Sequence, residues 1–576
     1  MNARKPIFTE PAECQDCYKC VRSCPVKAIR VREGHASVEP ESCVFCGTCV
    51  GVCPAHAKKV RKDLPRARQL LLLRDRVFVS LAPSFVAEFS EYTPGQLNAA
   101  LRALGFAGVS ETALGAEAVS TRVRSWFRDS DSDSGVRIST ACPVVVDLVT
   151  KYYPHLTALL SDEPSPMLAH ADQLRRHFGN DIGIVFIGPC IAKKCESDAN
   201  GDLLEVAITF DDLRLWFSHR GVDPGDYPVD TAADFALGES ATCRSYPVDG
   251  GMIATLALGR QDAFDRCVHL SGLGIIQQTL EELEPDPSEP GMFLELLSCE
   301  GGCINGPGTR SKDSLLKRRR RVLSFMPPDR VEWEAESESL PPRWVPEPFV
   351  AELPEEWQIR KALLSVGKRT KEEELNCGGC GYDSCYSFAS ALVVGRAEPA
   401  MCVAYMRRLA QKKNSALLKT IPSAAVTVDS NLRIVESNRN FATLCGPEAE
   451  TAYDALPGLE GAYLERFLPM GDLFRAVLHS GGEILDKQIR LPATTIVNAS
   501  LFSIEEHHLV GAILQDITAP AMQKQQIVEK SKEVIDKNLK TVQQIAFLLG
   551  ENASETELIL NSIVRSFSGE GEARSE

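Results

Sequence analysis

The chain has 576 residues, 44% of them hydrophobic and 24% charged, the balance of a soluble globular protein and not of a disordered one. A net charge of −15 opposes phosphate backbones, so no nucleic-acid partner is expected. No run approaches the roughly 18 apolar residues of a membrane helix, and the opening MNARKPIFTEPAEC lacks the apolar centre of a secretory signal. The expectation is a cytoplasmic protein with no membrane contact, divided into three or four domains at roughly 150 residues each. The informative number is 20 cysteines in tight clusters, which in a reducing compartment points to metal or redox chemistry.

Residues 1–60 carry Cys14-x₂-Cys17-x₂-Cys20-x₃-Cys24-Pro25 and then Cys43-x₂-Cys46-x₂-Cys49-x₃-Cys53-Pro54. Each triplet can surround one face of an iron–sulfur cubane, while the cysteine before proline crosses to the other cluster. This assigns one [4Fe–4S] to Cys14, Cys17, Cys20 and Cys53, and a second to Cys43, Cys46, Cys49 and Cys24. Tetrahedral zinc is the alternative for paired Cys-x₂-Cys; two full copies with the crossing cysteine favour cubanes. The segment resembles a bacterial two-cluster ferredoxin module.

From about residue 70, short apolar runs at 77–81, 136–138, 182–187 and 293–297 alternate with helical periodicity, the pattern of an α/β domain with buried parallel strands. Ligands gather beyond the carboxyl ends of such strands. Three of the runs lead into cysteine, at Cys142, Cys190 and the pair Cys299/Cys303, and the first leads into Ala82-Pro83-Ser84. Four thiols converging on one crevice would seat a further cubane; scattered core cysteines are the alternative.

TACP, GPCIAKKCE and LSCEGGCINGPG, with APSF, resemble the signature loops of the [FeFe]-hydrogenase catalytic domain, which carries the H-cluster. The likeness spans roughly 70–310 within a domain expected at 61–321. It implies a cubane on Cys142, Cys190, Cys299 and Cys303, with Cys303 bridging to a diiron centre that bears CO and cyanide. It also implies a cyanide contact for Lys193, contacts to the diiron ligands for Pro83 and Ser84, and close backbone approach at Gly301, Gly302, Gly306 and Gly308. Ser161 and Glu196 match a relay serine and an acid beside the second loop. The departures concern proton delivery and the diiron pocket. Ala141 stands where catalytic members have a relay cysteine, Val123 and Trp126 fall where two relay glutamates are expected, and Gly188 and Leu297 replace pocket methionines. General acid–base transfer contributes roughly 10²–10⁴-fold, so fast hydrogen turnover by the usual path is not expected. Cys195, Cys243, Cys267 and Cys445 remain, and each reads as a buried small side chain or an inert thiol.

The basic run 317–321 precedes a Pro/Glu-rich stretch, read as a linker or surface arm at 322–358 with the basic residues on a solvated helix face. Then follow Cys377-x₂-Cys380-x₄-Cys385 and Cys402, set among Gly378, Gly379 and Gly381. Residues 359–412 resemble the small four-cysteine Fe–S domain of corrinoid proteins and hydrogenase-like sensors, and imply a fourth [4Fe–4S], with zinc as the alternative. Residues 413–518 resemble a PAS domain through IPSAAVTVD, ESNRNF and the closing DIT; LFSIEEHHLVGAILQDIT reads as a two-stranded hairpin. At 519–576, apolar residues at heptad-like spacing predict a helix to about 549, and Ser554-x-x-Glu557 caps a second helix ending near Phe567. With no output domain in the sequence, output falls to a partner or to dimer rearrangement.

The fold class expected is therefore multidomain α/β and α+β. The leading functional expectation is a redox- or hydrogen-sensing signalling protein that passes cluster state through its PAS domain to a phosphatase or kinase. It would exchange electrons with a carrier such as ferredoxin and could form a homodimer through PAS and the C-terminal helix. The alternatives are a slow [FeFe]-hydrogenase and a cubane-only electron-transfer protein.

Overall fold

The computed structural model describes residues 5–129, 135–240, 242–256, 265–284, 291–327, 344–350, 353–491, 495–517, 532–539, 541 and 562. Two compact units divide the chain, Met1–Met401 and Cys402–Glu576.

The first unit opens with β1 (Ile7–Thr9), β2 (Ile29–Arg32), β3 (His35–Val38) and β4 (Lys58–Val60), with β1 antiparallel to β4 and β2 antiparallel to β3. Each cysteine triplet ends in a one-turn helix, Lys19–Ser23 or Thr48–Val52. The residues before these helices, Tyr18 (φ 53°) and Gly47 (φ 83°), are left-handed, which turns the chain back around the thiols.

The α/β domain contains two parallel sheets. β5 (Val77–Leu81), β6 (Gly108–Glu111), β8 (Gly183–Gly188) and β9 (Val206–Thr209) pair in the order β6-β5-β8-β9. β7 (Val136–Ile138), β10 (Cys267–Ser271) and β11 (Met292–Leu297) pair in the order β10-β11-β7. Every residue of β5 and β8 is buried, as expected for strands covered by helices on both faces. The four apolar runs read from the sequence became β5, β7, β8 and β11. β6, β9 and β10 escaped it because Ser, Glu, Thr and His interrupt them.

Lys194 anchors the segment that leads out of the ferredoxin module, residues 61–63, to the α/β domain. Its side chain is 0% exposed, and its ammonium reaches Asp212 at 2.7 Å, Asp63 at 3.1 Å and the Arg61 carbonyl at 2.9 Å. Arg61 and Arg66 both pair with Asp198 nearby.

The stretch expected as a linker is only partly one. The preceding helix, Leu315–Ser324, runs past the expected boundary, and the next, Glu356–Ser365, begins inside it; 328–343 and 351–352 lie outside the described residues. Residues 344–350 lie along the end of the Pro143–Tyr152 helix. The Glu347 and Phe349 amides donate to the Thr150 and Lys151 carbonyls, and the Trp344 indole donates to the Ser161 carbonyl at 2.7 Å. Last-turn carbonyls lack helical partners, and an extended segment with Trp344 and Phe349 among its prolines supplies them.

In the second unit the Val403–Thr420 helix runs through the expected 412/413 boundary, since nothing in its sequence breaks it. There follow β12 (Ala424–Asp429), β13 (Ile434–Ser437), β14 (Glu483–Arg490), β15 (Ile496–Glu505) and β16 (Leu509–Asp516), an antiparallel PAS-like sheet in the order β13-β12-β16-β15-β14. β15 and β16 are the expected hairpin; β14 was not anticipated. Asn438 of ESNRNF caps the Arg439–Cys445 helix, accepting from the Phe441 amide at 2.9 Å and donating to the Ser423 carbonyl at 2.8 Å. Residues 532–539 and Thr541 are helical; the rest of the expected helix and all but Ser562 of the capped second one lie outside the described residues. No helix among the described residues is long and apolar enough to cross a membrane.

Lys194→Ala leaves Asp212 buried without its cation, while Asp63 keeps Arg61 and Arg66, and losing one partner of a buried ion pair costs about 3–5 kcal/mol. The urea midpoint of the variant is expected to fall accordingly; an unchanged midpoint would remove Lys194 from the account.

Candidate metal centre

In the ferredoxin module the cysteines meet across the two repeats. Burial raises the Cys20 thiol, and the charges of Cys17, Cys14 and Cys53 raise it further against the opposing pull of Lys58. Burial lifts Cys24 to about 11, with Cys46 adding to the shift; Cys49 is raised by burial, then by Cys46, Cys43 and Cys24. The cysteine before each proline therefore faces the other repeat's triplet.

In the α/β domain, Cys142 follows β7 and caps the Pro143–Tyr152 helix, Cys190 lies two residues past β8, and Cys299 and Cys303 follow β11. Burial raises Cys190 to about 11, helped by Cys142. Burial also raises Cys299 and Cys303; Cys299 feels Cys303, Cys190 and Cys142, and Cys303 feels Cys142 and Cys190. Four thiols, one on buried Cys142 and three on half-buried Cys190, Cys299 and Cys303, that resist ionising beside one another suit a cationic iron–sulfur core, because metal binding deprotonates a ligating thiol outright. Cys46 also acts on Cys299, so the second ferredoxin set neighbours this one. Between them Gly47 meets the Pro307 ring, and an added Cβ would lie 2.6 Å from it.

Beside Cys303 is a cavity of about 90 Å³ lined by Pro83, Ser84, Ala141, Lys193, Tyr246 and Glu295, among others. The Ser84 hydroxyl is 1% exposed as a residue and has no hydrogen-bond partner among the described residues. A buried polar atom left without a partner at a cavity wall fits a group that would occupy that cavity. Lys193 donates to Glu196 at 2.6 Å, so these two expected residues are together. Leu297 also lines the cavity, and the Phe186 ring fills the space beside Gly188, 2.5 Å from where a Cβ would stand.

Ser161 is not in the cavity wall. Its hydroxyl accepts from the Glu163 amide at 3.4 Å, and Glu163 pairs with Arg122 at 2.7 Å. Val123 and Trp126 pack into an apolar cluster with Phe127, Tyr246 and Met252. Sequence reasoning missed Glu295, which is 2% exposed and accepts from the Ile253 amide at 3.1 Å; burial lifts its carboxyl to about 7. The available signal was one acid inside the apolar strand MFLELL.

Three family models match in chain order: 4Fe-4S dicluster domain at 6–54, iron only hydrogenase large subunit, C-terminal domain at 75–307, and putative Fe-S cluster at 373–404. The chain is an [FeFe]-hydrogenase-like iron–sulfur protein. It is 25% identical over 311 residues to the NADP-reducing hydrogenase subunit HndD of Solidesulfovibrio fructosivorans, covering 43% of this chain and 52% of that one. It is also 25% identical over 296 residues to the periplasmic [Fe] hydrogenase large subunit of Nitratidesulfovibrio vulgaris, covering 42% of this chain and 69% of that one. The chain thus spans about half the length of the first relative. Among solved structures, a variant of [FeFe]-hydrogenase HydA1 from Chlamydomonas reinhardtii aligns at 20% identity and TM-score 0.35, covering 46% of this chain and 88% of that one. A PAS domain of an HTR-like protein from Haloarcula marismortui aligns at 21% identity and TM-score 0.14, covering 19% of this chain and 99% of that one.

Outside the hydrogenase-like domain, the Cys385 amide donates to the Asn376 side chain at 2.8 Å, which folds the loop carrying Cys377 and Cys380 back on itself; Cys402 is the first residue of the second unit. Burial raises the remaining cysteines, with Cys195, Cys267 and Cys445 each reaching about 12. Cys243 is also raised, beside Thr242 and Ser120. The basic run is largely engaged within the domain: Arg318 donates to the Ile304 carbonyl, Arg319 pairs with Asp249, and Arg321 pairs with Asp313.

Glu295 holds its proton to a higher pH when folded than when unfolded, so its contribution to stability is complete below about pH 4.5 and is lost as pH rises through about 7. Full loss amounts to about 3 kcal/mol. Urea titrations of metal-free protein across this window are expected to show the decline in wild type and a flatter profile in Glu295→Gln; equal slopes would contradict the assignment.

Proposed function

We propose that the chain is a cytoplasmic redox- or hydrogen-sensing protein in which the state of an iron–sulfur chain is passed through the PAS domain to a separate phosphatase or kinase. In this reading Cys14, Cys17, Cys20 and Cys53, then Cys43, Cys46, Cys49 and Cys24, hold the ferredoxin cubanes. Cys142, Cys190, Cys299 and Cys303 hold the third, and Cys377, Cys380, Cys385 and Cys402 the fourth. A soluble carrier such as ferredoxin exchanges electrons with them, and PAS and the C-terminal helix provide a dimer contact. A diiron group bound through Cys303 would supply hydrogen chemistry. Toward it Pro83 and Ser84 offer backbone and hydroxyl, and Lys193 offers a charge steadied by Glu196.

One contrast carries this reading. The cavity keeps its cysteines, its unpartnered serine and its lysine, while Ala141, Val123 and Trp126 leave the usual proton route with apolar groups. That combination suits a protein that binds or registers hydrogen more than one that turns it over quickly. A slow hydrogenase is the second reading, favoured by Glu295, an acid on the cavity wall that titrates near neutrality.

Ala141→Cys in protein co-expressed with maturation enzymes is expected to raise hydrogen uptake or evolution by at least about tenfold, the lower end of general acid–base contributions being roughly 10²-fold. No change would count against a missing relay as the limit. Infrared bands from metal-bound CO and cyanide in the same material would exclude the cubane-only alternative, and their absence after maturation would support it.

A further inference from the structure

The four-cysteine domain is not tethered loosely. The Glu398 carboxylate accepts from the Glu33 amide at 2.5 Å and the Gly34 amide at 3.1 Å, both in the β2–β3 turn. The Val31 amide donates to the Arg396 carbonyl at 2.9 Å, the Arg396 guanidinium pairs with Glu39 at 2.6 Å, and Lys27 faces Asp383 at 3.6 Å. At the centre of this contact Gly381 (φ 94°) rests on the Lys19–Ser23 helix, and an added Cβ would lie 3.0 Å from Val21 Cγ1 and 3.1 Å from the Arg22 nitrogen. Val21 and Arg22 stand between Cys20 and Cys24. The next residue, Tyr382, is buried, with its ring 5.8 Å from that of Phe388.

We propose that Gly381 and Glu398 are positioning residues that seat the Cys377/Cys380/Cys385 loop on the ferredoxin module, making that module of the same chain its direct electron-exchange partner. The exchange is of one electron: one cubane is oxidised by one equivalent as the other is reduced, and no bond or proton changes. Side-chain-free backbone is required where the loop meets the helix, because a bulkier residue at φ 94° would be strained and would push Val21 away. The glutamate fixes the far edge through two charge-assisted hydrogen bonds. The inference rests on the cubane assignment proposed above, and iron analysis separates the failure of one from the failure of the other.

The test is electron paramagnetic resonance on the full-length, anaerobically reduced protein, with iron and sulfide measured on each sample. Wild type is expected to show the signal of the four-cysteine cluster broadened by a neighbouring reduced cluster. Gly381→Val and Glu398→Ala are expected to lose that broadening at unchanged iron content. Should Gly381→Val lose iron, Glu398→Ala, which leaves the loop itself intact, decides. Unbroadened signals in iron-replete wild type, or broadening retained in an iron-replete Glu398→Ala, would overturn the seat as an electron contact. Wild type that binds little iron would instead overturn the cubane assignment.

Discussion

Buried thiolates repel one another, and four of them are stable as anions in one place only when a cation takes up their charge. This constraint organises the first unit. Burial is the leading cause of the raised Cys24, Cys43 and Cys49 thiols, and of the raised Cys190, Cys299 and Cys303 thiols, with neighbouring sulfur adding to it in each. Backbone amides give partial relief, as where Ala28 and Phe45 donate to Cys24 and Cys43 at 3.2 and 3.3 Å. Left-handed turns, one-turn helices and strand ends are the means by which the chain brings the sulfurs in.

The same constraint explains why the modules are joined so closely. The proposed electron exchange demands short separations, and two contacts between the modules keep them: Gly47 against Pro307, and Lys151 donating to the Cys43 carbonyl at 2.8 Å. Lys151 and Tyr152 end the helix that Cys142 begins, so one rigid element runs from the hydrogenase-like cysteines to the backbone of a ferredoxin ligand. Residues 344–350 then close the carbonyls at that helix end.

Legibility from sequence followed the strength of the local chemistry. Cysteine spacing announced the ferredoxin module, and uninterrupted apolar runs gave β5, β7, β8 and β11. β6, GVSE, is wholly buried yet half polar, because Ser110 and Glu111 find partners in His170 and Arg244, which only the folded chain supplies. For the same reason residues 344–350 read as a loose arm: their partners are carbonyls of a helix almost two hundred residues earlier. Phe186 filling the gap beside Gly188 was likewise invisible, since the two residues lie on one strand and only the ring's direction reveals the exchange.

What the cavity retains and what it has lost bear on chemistry only if the cysteines hold iron and sulfide. Anaerobic iron, zinc and acid-labile sulfide analysis tests this most directly. The account predicts about sixteen iron and sixteen sulfide per chain before any diiron group is added, four of each for every group of four cysteines. Zinc in place of iron, or iron without sulfide, would contradict it.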